Sequence, residues 1–270
     1  MEDKIKNFFG FSRIPFSKNI PVSSIFISSQ IKEVSARLML AVQNEDVALL
    51  TGAVGCGKST AIRLFVQNLD PSAFRVIYLP AYPFKIGELA KQILDQLHIQ
   101  PPGHAAKAIR LLEQTIIQLS KDKGIKPVII IDEAQDLPIP TLQSLKNFVN
   151  FDMDSTSRLM LLLCGQKELS SVLISASLEA LLRRIRIICD MSSISLEDTV
   201  SYIKHQMKNC GVDKTVFSDD AVSSIFNFSK GIISDINCIC FRLIILAVSE
   251  GKDIIESSML DKIGFNKTKK

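Results

Sequence analysis

Apolar positions recur along this chain in two rhythms, and the change from one to the other divides it. Between Asp46 and Met191, short and nearly continuous apolar runs alternate with stretches in which apolar residues return every three or four positions. The runs at 46–51, 74–79, 128–131, 159–164 and 185–191 predict five strands. Val128-Ile-Ile-Ile131 has no polar position, as suits the middle of a parallel sheet covered on both faces. The periodic stretches at 59–69, 86–97 and 104–119 predict the helices between them. Such alternation implies an α/β fold with a five-stranded parallel sheet flanked by helices. After Ser195 only the helical rhythm remains. Starts are signalled at Ser195 and Ser218, a third helix spans 235–249, and Gly211, Gly231 and Gly251 are the breaks.

The first 30 residues carry Phe8-Phe9-Gly10-Phe11 and Pro15-Phe16 without clear periodicity, which predicts a strap laid over the core, followed by a helix over 33–43. The expected organisation is a strap and first helix at 1–45, an α/β core at 46–193, a small helical lid at 194–265 and a disordered Lys-rich tail at 266–270.

Composition narrows the class. With 47% hydrophobic and 22% charged residues in 270, the chain is expected to be folded throughout most of its length. A net charge of +4 allows a polyanionic partner without demanding one. The six cysteines lack metal-ligand spacing and read as reduced core residues. No stretch approaches the ~18 apolar residues a membrane span needs, and the N-terminus lacks a signal-peptide core, so a cytoplasmic location is expected.

The most specific local pattern is Gly52-Ala53-Val54-Gly55-Cys56-Gly57-Lys58-Ser59-Thr60, a complete G-x-x-x-x-G-K-[ST] phosphate loop between a predicted strand and a predicted helix. Its glycines let successive backbone N–H groups turn toward phosphate oxygens, and the helix start adds partial positive charge. Gly52 and Val54 to Thr60 are therefore expected to bind ATP, with Lys58 on the β- and γ-phosphates and the Ser59 hydroxyl on Mg²⁺.

Hydrolysis needs more, and the strand at 128–131 ends in two carboxylates. Asp132 suits the Mg²⁺ ion through its water shell, and Glu133 suits the polarisation of an attacking water. The next strand ends in Cys164-Gly165-Gln166, where Gln166 is the candidate to orient that water; a plain strand-to-helix turn would read the same way. In Leu181-Leu182-Arg183-Arg184-Ile185-Arg186 three cations surround one isoleucine, and Arg184 is the candidate to reach a neighbouring protomer's γ-phosphate. A solvated basic turn is the alternative. Lys85, Lys107 and Arg110 belong to a region where cations outnumber acids, and they are the candidates for DNA phosphates.

Taken in order, the phosphate loop, the Asp-Glu strand, the Gly-Gln strand end, the arginine cluster and the helical tail resemble the ExeA-like branch of AAA+ ATPases, P-loop NTPases with a helical lid. Phe9-Gly10-Phe11, Pro15-Phe16, Ile131-Asp-Glu-Ala-Gln135, Asn147-Phe-Val-Asn-Phe151 and Gly231-Ile-Ile-Ser-Asp-Ile-Asn237 add to the likeness, which covers about residues 8–250. The compact members resemble the transposition helpers TnsC, TniB and IstB. The resemblance implies a homo-oligomeric ATPase that assembles on double-stranded DNA as a ring or filament and directs a DDE transposase to its target, with no membrane partner. It also implies an adenine contact from the strap, for which Phe16 is the candidate. The other branch members are secretion ATPases acting on a membrane protein, and the chain carries neither the membrane helix nor the extra domain expected of them. One departure stands out: Ile233 and Ser234 occupy the Pro and Arg positions of the lid motif, so its γ-phosphate-sensing arginine is missing unless Lys230 or Arg242 replaces it. A slow, nucleotide-gated switch is the corresponding alternative.

Overall fold

A computed structural model describes residues 1–17, 20–151 and 156–264; the expected tail at 266–270 lies outside them. In chain order the elements are α1 (Glu2–Phe9), α2 (Ser29–Asn44), β1 (Val47–Gly52), α3 (Lys58–Gln67), β2 (Phe74–Pro80), α4 (Ile86–Gln96), α5 (Ala105–Ile117) and β3 (Lys126–Asp132). They continue with α6 (Ile139–Phe148), β4 (Met160–Gly165), α7 (Lys167–Leu173), α8 (Glu179–Leu182), β5 (Ile185–Met191), α9 (Leu196–Asn209), α10 (Asp219–Ser229) and α11 (Ile233–Glu250).

The strands form one parallel sheet in the order β2-β3-β4-β1-β5. β1 and β4 are buried at every position and β3 at all but Lys126, the burial that helices on both faces impose and that continuous apolar runs supply. The edge strand β5 instead exposes Arg186, Ile188 and Asp190 in alternation. Because β4 lies between β1 and β3, the segments leaving these three strands emerge at the same end of the sheet. That end, beyond the carboxyl ends of the strands, is where open α/β sheets place their ligands.

The chain divides into two compact units. One, Gln30–Val54 with Lys58–Met191, holds the sheet and a core that includes Phe65, Leu112 and Ile131, all fully buried. The other combines Met1–Ser29, Gly55–Gly57 and the chain from Ser192 onward. Its own core joins Ile5, Phe9, Phe11 and Phe16 to Ile203, Ile236 and Leu243. The sequence grouped residues 1–45 together; the structure divides that stretch at Ser29, because the apolar side chains of the first residues find their partners on α9 and α11.

Helix α1 was not legible as a helix. Only Ile5 and Phe9 of its eight residues are buried, too few to show a period, although its stop is marked: the Gly10 and Phe11 N–H groups both donate to the Lys6 carbonyl, at 2.8 and 2.9 Å. α6 was also missed. It begins after Pro138 and carries Pro140 in its first turn, where a missing N–H breaks no helical bond. The cap signals held, since Ser195 Oγ accepts the Asp198 N–H (3.0 Å) and Ser218 Oγ accepts the Ala221 N–H (3.2 Å). Among the described residues no helix is long and apolar enough to cross a membrane.

Candidate nucleotide site

β1 ends at Gly52 and α3 starts at Lys58, so the phosphate loop joins a buried strand to the N-terminus of a ten-residue helix. Lys58 is only 7% exposed, and its Nζ donates to the carbonyls of Gly52 (2.8 Å) and Ala53 (3.1 Å). A buried ammonium requires such partners, and here they are the opening residues of the loop itself. Ser59 and Thr60 lie in the first turn of α3, where backbone N–H groups have no intrahelical acceptor and favour an anion. Gly55 and Gly57 have φ of 80° and 108°, a left-handed conformation that a Cβ would strain, which explains glycine at both. In the unit that contains them, the Gly55 carbonyl accepts the Ser234 N–H at 3.1 Å. Val54 is exposed and Cys56 buried.

The carboxylate pair stands at the end of β3. Asp132, 7% exposed, accepts the Tyr78 hydroxyl at 2.5 Å on one oxygen and the Glu133 N–H at 3.0 Å on the other. Burial, then the hydrogen bond to Asp132 and its charge, raise the Tyr78 phenol above its ordinary value, so it remains a protonated donor. Burial and then the Asp132 charge likewise push the Cys164 thiol up. Glu133 adopts φ 54°, which turns its side chain away from the line of the strand. Its Oε2 accepts Gln135 Nε2 at 2.6 Å and Gln166 Nε2 at 3.4 Å, while Gln135 Oε1 accepts the Gln166 N–H at 3.1 Å.

The structure thus brings Glu133 and Gln166 together and sets Asp132 beside Glu133. Gln135 and Tyr78 were missed. Gln135 stood within the quoted Ile131-Asp-Glu-Ala-Gln135 stretch with no role attached, and Tyr78 gave no local signal because its partner lies on the neighbouring strand. Oxygen donors such as the Ser59 hydroxyl and the Asp132 carboxylate fit Mg²⁺, which keeps several waters and takes few protein ligands. Among the described residues no group of three His, Cys, Asp or Glu is placed to hold a metal ion.

The remaining candidates are distributed elsewhere. Arg183 pairs with Glu179 at 2.5 Å and Arg186 with Asp46 at 3.5 Å, whereas Arg184 is half-buried with Nη1 donating to the Ala180 carbonyl at 3.3 Å. Phe16, the candidate for the adenine contact, is buried in the helical unit, its ring centre 6.2 Å from that of Phe217 and 6.5 Å from that of Tyr202. A phenyl ring has no polar atom to keep it near solvent, and burial stabilises it by ~1.5–3 kcal/mol. Lys85, Lys107 and Arg110 are exposed. Gly87 packs so closely on Ala105 that a Cβ would collide, so the first turns of α4 and α5 abut, with Lys85 and Lys107 two residues to either side. Ser234 lies in the first turn of α11, and Lys230 and Arg242 are exposed.

Comparison with known proteins agrees with this geometry. Residues 41–173 match the AAA-domain family model. General secretion pathway protein A of Aeromonas hydrophila is 29% identical over 248 residues, covering 90% of this chain. The chain spans only 45% of that relative's length. Among solved structures, the Aeropyrum pernix ORC2 protein in its ADPNP–ADP complexes superposes with a TM-score of 0.67 at 15% identity, covering 92% of this chain and 70% of that one. Drosophila ORC bound to DNA gives 0.66 at 14% identity, over 96% of this chain and 65% of the other. The Thermotoga maritima RuvB branch migration motor gives 0.54 at 17%, over 86% and 67%. The chain therefore has the AAA+ P-loop NTPase fold, matches the AAA-domain model over residues 41–173, and is similar in sequence to general secretion pathway protein A.

Proposed function

We propose that the chain binds ATP with Mg²⁺ and hydrolyses it to ADP and phosphate. The observation that carries this reading is the Glu133 carboxylate, held by Gln135 and Gln166 one residue beyond Asp132, at the sheet end from which the phosphate loop also leaves. Loop N–H groups from Gly52 to Thr60 cradle the phosphates, and Lys58 exchanges its carbonyl partners for the β- and γ-phosphate oxygens. Ser59 and Asp132 would hold Mg²⁺, which when bound neutralises charge on those oxygens. Glu133 accepts a proton from the attacking water, Gln166 orients that water, and Arg184 of an adjoining protomer neutralises the charge that develops. Without an arginine at position 234, turnover is slow.

For the setting, the motif resemblance supports a cytoplasmic homo-oligomer that assembles on double-stranded DNA and recruits a DDE transposase. The exposed Lys85, Lys107 and Arg110 are the phosphate contacts in this reading. A second reading, an ATPase acting on a membrane protein in secretion, is supported by the similarity to a protein named for the general secretion pathway. The test is duplex DNA binding with a non-hydrolysable ATP analogue, at rising salt and under the electron microscope. Nucleotide-dependent, salt-sensitive assembly on DNA is expected. Indifference to DNA together with ATP-dependent capture of a membrane protein would favour secretion.

A further inference from the structure

We infer that Gln135 is a positioning residue for hydrolysis: its amide fixes the Glu133 carboxylate and couples it to the end of β4. The inference rests on the proposed role of Glu133. The Gln135 amide has one end on Glu133 Oε2 (2.6 Å) and the other on the Gln166 N–H (3.1 Å). Only one orientation satisfies both partners. Turned over, its oxygen would face a carboxylate oxygen and its NH₂ would face an N–H. The bond to Glu133 is charge-assisted, the stronger kind, and it restrains a half-buried side chain that several rotatable bonds would otherwise leave free.

Gly165 supplies an independent line of argument. A Cβ there would collide with Gln135 Oε1 and lie 2.8 Å from Leu169 Cδ2, so the last residue of β4 is glycine where the amide lies against the strand. The Cys164-Gly165-Gln166 strand end thus does two things: it presents Gln166, and it leaves room for Gln135. Any displacement of the β4 end is passed through one amide to the group that activates water, which affects turnover without touching the phosphates. Gln135 is therefore expected to govern kcat and not nucleotide affinity.

The test compares Gln135→Leu, of similar size without either hydrogen bond, with Gln135→Asn, whose shorter amide cannot span both partners. Each is expected to lower kcat about tenfold or more while the ATP Kd, from calorimetry, stays within about twofold. Gly165→Ala is expected to do the same, and combined with Gln135→Leu it should add little, because both break one linkage. Wild-type kcat in both Gln135 variants, or a loss expressed in Kd, would overturn the inference. Glu133→Gln run alongside separates the two levels. If Glu133→Gln leaves turnover intact, the hydrolytic reading fails and Gln135 with it. If only Glu133→Gln is slow, the role of Gln135 alone is refuted.

Discussion

The phenol of Tyr78 donates to the carboxylate of Asp132 at 2.5 Å, across the register that pairs Tyr78 with Ile130, so the residue we propose for the magnesium ion is itself held by the neighbouring strand. Outer partners of this kind orient a ligand, and their removal typically lowers metal affinity by about 10- to 100-fold. Tyr78→Phe is expected to raise the Mg²⁺ concentration needed for half-maximal ATP binding by at least several-fold. Binding measured in chelator should be unchanged. A magnesium titration by calorimetry checks this.

Lys58→Ala removes the only side-chain cation within the phosphate loop. ATP affinity is expected to fall about tenfold or more, the scale of a lost charge-assisted contact of ~1.5–3 kcal/mol. The thermal midpoint should fall as well, because the buried Gly52 carbonyl loses its donor, at a cost of about 1–3 kcal/mol. Calorimetric titration with ATP and Mg²⁺ reads the effect.

Alkaline pH should destabilise the fold in two stages. Burial raises the thiols of Cys164, Cys189, Cys210 and Cys240 above 9.0 and the phenols of Tyr78 and Tyr202 above 10.0. Below those values both folded and unfolded chains are protonated and stability is at its full level. As pH passes 9.0 the unfolded thiols ionise while the folded ones do not, and above 10.0 the tyrosines add to the loss. Urea midpoints measured between about pH 8 and 10.5 should stay level and then decline; a flat profile would contradict the burial of these groups.

Helix caps in the helical unit offer a further check. Ser195→Ala and Ser218→Ala each remove one capping bond and should cost about 1 kcal/mol of stability, read by urea unfolding. These positions are also where sequence and structure agree most closely, because a cap is a contact between residues three apart and its signal is local.

The same principle separates what the sequence disclosed from what it withheld. The placement of Lys58, Ser59, Asp132 and Glu133 was legible because a loop between strand and helix, and a strand ending in carboxylates, are contiguous patterns. Gln166 required only the inference that its strand lies between the other two, and the order β3-β4-β1 provides that. Tyr78 and Gln135 were not legible. Tyr78 acquires its partner from sheet register, and Gln135 from the approach of the β4 end, and neither relation leaves a trace in local spacing. The partners of Phe16 were not legible either, since an aromatic near a turn looks the same whatever it packs on, here Tyr202 and Phe217.

The most direct test of the central claim is phosphate release by the wild-type protein and by Glu133→Gln, with ATP and Mg²⁺ present and with the ATP Kd of each measured in parallel. The account predicts equal affinities and a fall in release of about 100-fold or more, the scale expected when a general base is lost. Equal release rates at equal affinity would contradict it.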